Sequence, residues 1–126
     1  MSLSVVSYEK SPGVFVVAPE GIIDASTYEA FEKKVESALE NKPGILIMDL
    51  DKLNYISSIG LRVIAKAKKH LKQTGGTVMM VNLQPQIKEV FEIIKALPKE
   101  QIFSSIAELD DYLLTMQRKS VEERKA

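Results

Sequence analysis

The 126-residue chain contains no cysteine. Disulfide crosslinks and thiolate chemistry are thereby excluded, and the composition fits a reducing compartment. A single histidine leaves little from which to build a metal cluster or a conventional nucleophile–base pair. There is no net charge, because 17 Lys and Arg residues balance 17 Asp and Glu residues. That argues against binding nucleic acid through bulk charge, and it offers no general field for an anionic membrane. No apolar run approaches the roughly 20 residues of a membrane span, and no N-terminal run has the order of a signal peptide. A cytoplasmic protein with no membrane insertion is expected. No phosphate-cradling loop is present either. The glycines of "TGGT" follow a helix and precede a strand, the reverse of a nucleotide-binding turn, and read as a helix C-cap. No cofactor is implied.

What is present is an alternation of short apolar runs and amphipathic stretches. "LSVVSYE" and "GVFVVAPEG" flank Lys10, Ser11, Pro12 and Gly13, which predicts a hairpin. In "DASTYEAFEKKVESALENK", Tyr28, Phe31, Val35, Ala38 and Leu39 fall at helical steps, with Asp24 or Ser26 as the cap. "ILIMDLD" is a nearly continuous apolar run, read as a buried central strand that ends at Asp49 and Asp51. A second helix runs to about Gln73, with Ile64, Ala67 and Leu71 facing inward, and Gly75 and Gly76 stop it. "TVMMVNL" reads as another buried strand. "QPQIKEVFEIIKAL" places Ile87, Val90, Phe91 and Ile94 on one helix face, with Pro98 just beyond. Ile102 and Phe103 are a candidate last strand. A final helix follows, with Ser104 or Ser105 as cap and Ile106, Leu109, Leu113 and Met116 inward. The charged end reads as a fraying or disordered tail. There is no internal repeat, and one α/β domain with a mixed sheet of four to five strands and about four helices accounts for the chain.

Chemistry-bearing residues are few. His70 and the run Lys66, Lys68, Lys69 and Lys72 read as the wet face of the second helix. Asp24, Asp49 and Asp51 each lie near a loop after a strand, where open α/β sheets gather ligands; capping and turn formation explain Asp24 and Asp51 equally well. The stretch "NYISSIGLR" (Asn54 to Arg62) is the most informative. Ser58 is read as the cap of the second helix. A glycine in that first turn, Gly60, costs up to about 1 kcal/mol against alanine, so something must approach the backbone there. A helix N-terminus also accepts a phosphate well, and Arg62 lies one turn beyond Ser58. With Ile59 and Leu61 as apolar neighbours, a charge added at Ser58 would be costly inside an interface.

At these residues the chain resembles the STAS domain family, the anti-sigma factor antagonists of bacteria. The resemblance rests on "GIIDASTYEAF", "ILIMDLDKLNYISSIGLRVI" and "TGGTVMMVNLQPQIKEVFEI". It extends to about residue 116, which leaves 117–126 as a charged C-terminal tail. It implies a layered α/β fold and a role in binding rather than catalysis. Family members bind an anti-sigma factor that is also a serine kinase, and phosphorylation of one serine weakens the complex until a serine phosphatase restores it. Carried onto this chain, the acceptor is Ser58, with Ser57 as its rival. Asp24, Asp49, Ser57, Ile59, Gly60, Leu61 and Arg62 form the partner surface. The chain departs from one branch of the family in having Ser57 in place of aspartate, Ile59 in place of serine or threonine, and Arg62 in place of a small residue. An alternative keeps the fold without the switch, as a constitutive docking module of a stress-signalling scaffold or transport complex. A small enzyme using Asp24 and Asp49 is disfavoured by the missing phosphate loop, cysteine and histidine pair.

Overall fold

The valine-rich runs on either side of residues 10–13 pair as an antiparallel hairpin of β1 (Leu3–Ser11) and β2 (Val14–Ile23). Gly13 adopts a φ of 77° at the turn, a conformation that glycine reaches without a Cβ penalty. The computed structural model describes residues 2–96 (for 93–96 the backbone alone), 111, 114, 115, 117–119, 121 and 122. After the hairpin come α1 (Tyr28–Glu40), β3 (Ile45–Asp49), β4 (Leu53–Ile56), α2 (Ser58–Thr74), β5 (Thr77–Val81) and α3 (Pro85–Ala96). Helical backbone recurs at 111, 114–115, 117–119 and 121–122.

Among the described residues the sheet has five strands in the order β1-β2-β3-β5, with β4 beside β2. β1 is antiparallel to β2, and the β2–β3, β3–β5 and β2–β4 pairs are parallel. β3 runs along the first half of β2, and β4 takes over at Gly21 to Ile23. The mixed α/β sheet agrees with the expectation, but its strand list differs in one place. "LNYI" reads as part of a loop in the sequence, because four residues next to a turn carry almost no periodicity. The structure makes it a strand.

One face of the sheet carries the core. Val17, Ile23, Leu46 and Met48 pack there against Phe31, Val35 and Ala38 of α1, Val63, Ile64, Ala67 and Leu71 of α2, and Ile87 and Val90 of α3. The predicted faces of the first three helices are thus the buried ones where their side chains are described. The two strands read as buried are buried on that face only. Along β3, Leu46 and Met48 are enclosed while Ile45, Ile47 and Asp49 are half-exposed. β5 contains no fully buried residue, and Met79 is 47% exposed. In a strand successive side chains point to opposite faces, and the described helices pack on one of them.

Among the described residues, carboxamides and not another strand meet the outer edge of β4. Gln117 accepts from the Ile56 N–H (3.0 Å) and donates to the Ile56 C=O (2.9 Å), as a peptide group of a neighbouring strand would. Gln86, at the start of α3, donates to the Asn54 C=O (3.2 Å). Both glutamines are almost fully buried. Buried backbone groups need partners, and these two side chains supply them. Gln117, the first residue of the tail read as a fraying helix or disordered, is helical, and its side chain is part of the interior. The expected strand at Ile102 and Phe103, the side chains of Ile94, Pro98, Ile106, Leu109, Leu113 and Met116, and the caps Ser104 and Ser105 lie outside the described residues.

Candidate functional site

The candidate site is where β4 hands over to α2. Ser57 has extended backbone (φ −91°, ψ 176°) and occupies the N-cap position. Its N–H donates to the Ile23 C=O (2.9 Å), and its C=O accepts the first intrahelical bond from Leu61 (3.1 Å). The cap expected at Ser58 is therefore one residue earlier, and Ser58 is the first helical residue. Nor does the cap act through its side chain: the Ser57 hydroxyl makes no bond to the helix amides. Ser57 is 5% exposed, and its Oγ is enclosed without a hydrogen-bond partner. Ser58 is half-buried.

Gly60 explains itself through packing. A Cβ there would lie 2.6 Å from Cγ1 of Ile56 and 2.7 Å from Cγ2 of Ile23. What comes close to the helix backbone is the end of β2 and β4. This contact lets α2 sit directly on the two strands that deliver Asp24 and Ser57.

The loop between β2 and α1 forms the other wall. Asp24 and Ser26 were the expected caps of α1, but Thr27 holds that position. Asp24 Oδ1 accepts from the Ser26 N–H (2.9 Å) and the Ser26 hydroxyl (2.7 Å). The Thr27 hydroxyl accepts from the Asp24 N–H (2.9 Å) and donates to the Ile22 C=O (2.7 Å). The bond from the Ser26 hydroxyl is the largest influence on the Asp24 carboxyl, and it holds that group below the usual carboxylate range. The Ser26 amide and Thr27 act in the same direction against an opposing desolvation effect. Asp24 is thus a fixed anion at neutral pH.

Asp24, Ala25, Tyr55, Ser57, Ser58, Ile59 and Arg62 line one cavity of about 400 Å³. Five residues of the predicted site, namely Asp24, Ser57, Ser58, Ile59 and Arg62, therefore come together. The other three do not. Asp49 follows the exposed parity of β3 and lines a separate hollow with Val6, Ala18 and Asp51. Its Oδ1 accepts from the Asp51 N–H (3.2 Å) and Asn82 Nδ2 (3.1 Å), so it braces the turn after β3. Gly60 is buried beneath the site. Leu61 lines the groove between α2 and α3 with Ile64, Met80 and Phe91. Tyr55 and Thr27 were not singled out from the sequence. Tyr55 lay within the unrecognised strand, while Thr27 had a signal in the D-x-S-T run, whose side chains readily hydrogen-bond the local backbone. Of the lysine run, Lys66 pairs with Glu32 of α1 at 3.6 Å, an exposed pair worth about 0–1 kcal/mol.

The α/β domain thus gathers two serines, a carboxylate and a guanidinium at one helix start. The STAS domain model matches residues 6–109, and the chain belongs to the STAS domain family. Among relatives, it is 31% identical over 88 residues to BtrV of Bordetella bronchiseptica, a protein assigned as an anti-sigma factor antagonist; the match covers 70% of this chain and 76% of that one. The crystal structure of an anti-sigma factor antagonist from Mycobacterium paratuberculosis superposes with a TM-score of 0.60 at 24% identity, covering 93% of this chain and 95% of that chain. The antagonist SpoIIAA in its unphosphorylated form gives 0.62 at 18% identity, covering 71% and 83%. Its phosphorylated form, from Bacillus, gives 0.61 at 17% identity, covering 72% and 83%. These likenesses establish the fold. Among the described residues, no helix is long and apolar enough to cross a membrane.

Proposed function

We propose that this protein is an anti-sigma factor antagonist. It sequesters an anti-sigma factor that is also a serine kinase, and it is released by phosphorylation of Ser58. In that step Ser58 Oγ attacks the γ-phosphorus of ATP, its proton is lost, and ADP leaves. A serine phosphatase would hydrolyse the ester and restore binding. The observation that carries the choice of residue is the contrast in access between the two serines. The Ser57 hydroxyl is enclosed, whereas Ser58 is half-buried on an open cavity. Attack on a nucleotide held by another protein needs an oxygen open to that protein, so Ser58 is the acceptor and Ser57 supports the helix start. A phosphate at the first helical position sits at the positive end of the dipole and leaves the helix intact. The near-equal similarity to SpoIIAA in both of its forms agrees with a fold that persists through such a change. Asp24, Ile59 and Arg62 would supply the partner contacts around it.

The test is incubation with the cognate kinase and ATP, followed by phosphopeptide mapping. One phosphoryl on the peptide containing Ser58, abolished in Ser58→Ala, is the expected result. Uptake by Ser58→Ala at the wild-type rate contradicts the assignment. Stable recovery with a transporter or scaffold, with no phosphorylated form in cells, would favour the constitutive docking module instead.

A further inference from the structure

We infer that a phosphoryl group on Ser58 is gripped in cis: the Arg62 guanidinium, the Ser57 hydroxyl and the first amides of α2 together form an oxyanion site. Phosphorylation then does more than add charge, because it withdraws Arg62 from the partner surface. The inference rests on the reading of Ser58 as the acceptor, but its test does not require a kinase.

Three independent features converge on this cavity. The Ser57 Oγ is enclosed without a partner, and a buried hydroxyl in that condition is rare enough to mark a place where an acceptor is missing. Ser57 lines the cavity that Ser58 faces. The second feature is the helix end. α2 is 17 residues long and has no acidic residue in its first turn, whereas α1 carries Glu29 there. The amides of Ile59 and Gly60 precede the first intrahelical bond, made by Leu61, so the positive end of α2 is left uncompensated. Arg62 is the third. It is exposed, lines the same cavity and, among the described residues, makes no ion pair. Residues four apart share a helix face, and a guanidinium can hold two phosphoryl oxygens at once.

Among the described residues, the charges facing the group are Asp24 from the β2–α1 loop and Arg62 from α2, with Tyr55 of β4 as the remaining titratable wall. The Asp24 carboxylate is tied to Ser26 and repels a phosphoryl dianion. This repulsion drives the group towards Arg62, where its charge is matched.

The experiment uses protein with phosphoserine genetically encoded at position 58, titrated by ³¹P NMR. The second ionisation of the phosphoryl is expected to lie about half a unit or more below its value in the same chain unfolded in urea. Arg62→Gln should abolish most of that depression, and Arg62→Lys should keep part of it as a point charge. Ser57→Ala should remove a smaller share. Equal midpoints in the folded and unfolded chains, or a midpoint that Arg62→Gln leaves in place, would overturn the inference. A kinase that ignored Ser58 would instead defeat the proposed switch, and it would leave this titration unaltered.

Discussion

The starts of α1 and α2 form two walls of one cavity, and they are built to opposite rules. At α1 the polar side chains of the turn bond one another and the local backbone: Asp24 holds Ser26, and Thr27 ties Asp24 to Ile22. Glu29 compensates the dipole. At α2 the cap's hydroxyl is enclosed and unpartnered, the first turn has no acid, and a guanidinium that makes no ion pair among the described residues stands one turn away. One end is closed by the chain itself, while the other has the open valences that the proposed phosphoryl group would fill. A helix start that serves only the fold is expected to resemble α1. The departure at α2 agrees with the role proposed for it, since local rules are broken where function requires it.

The comparison can be broken by mutation. The largest effect is expected at Gln117, which fixes Ile56 just ahead of the α2 start. Gln117→Ala strands two buried backbone groups and should cost about 2–4 kcal/mol in urea unfolding. Next is Thr27→Ala, which opens the closed end and should cost about 1–2 kcal/mol, with Thr27→Ser retaining most of the stability. Ser57→Ala should behave in the opposite sense. It removes a hydroxyl that has no partner, so stability should be unchanged or rise by up to about 1 kcal/mol. A loss as large as that for Thr27→Ala would mean that the two ends are not built differently after all.

The smallest effect concerns Asp24 and pH. Its folded-state carboxyl is held below the usual range, so its contribution is present above the unfolded value near about 3.9. That contribution is lost as pH falls through the depressed folded value. Asp24→Asn should therefore be slightly less stable than the parent at neutral pH, and the two should converge in acid. Denaturant midpoints measured across pH would show the gap closing as pH falls. A gap independent of pH would contradict the role given to Ser26 and Thr27.

The helix faces were legible in the sequence because three- and four-residue spacing over a dozen residues is a strong signal, as Phe31, Val35 and Ala38 or Ile64, Ala67 and Leu71 show. β4 was not legible. It is four residues long and, among the described residues, pairs with the end of β2 alone, so its evidence is tertiary. Gln117 was hidden for a related reason: one polar residue beside a charged run gives no hint that it replaces a strand. Asp24 and Asp49 looked equivalent, since each is an aspartate at the end of a strand. Strand parity separates them. Leu46 and Met48 claim the core face of β3, so Asp49 must point to the other face, away from Ser58. The cap register missed by one residue because two adjacent serines present the same chemistry. Only the backbone of Ser57, bonded to Ile23, decides between them.

The central claim is that Ser58 switches recognition without unfolding the domain. Calorimetric titration of the cognate anti-sigma factor with the unmodified and Ser58-phosphorylated proteins tests it most directly. The account predicts the same thermal unfolding cooperativity for both forms, with the phosphorylated form binding at least about tenfold more weakly, equivalent to about 1.4 kcal/mol. Equal affinity of the two forms, or weak binding accompanied by loss of the folded state, would contradict it.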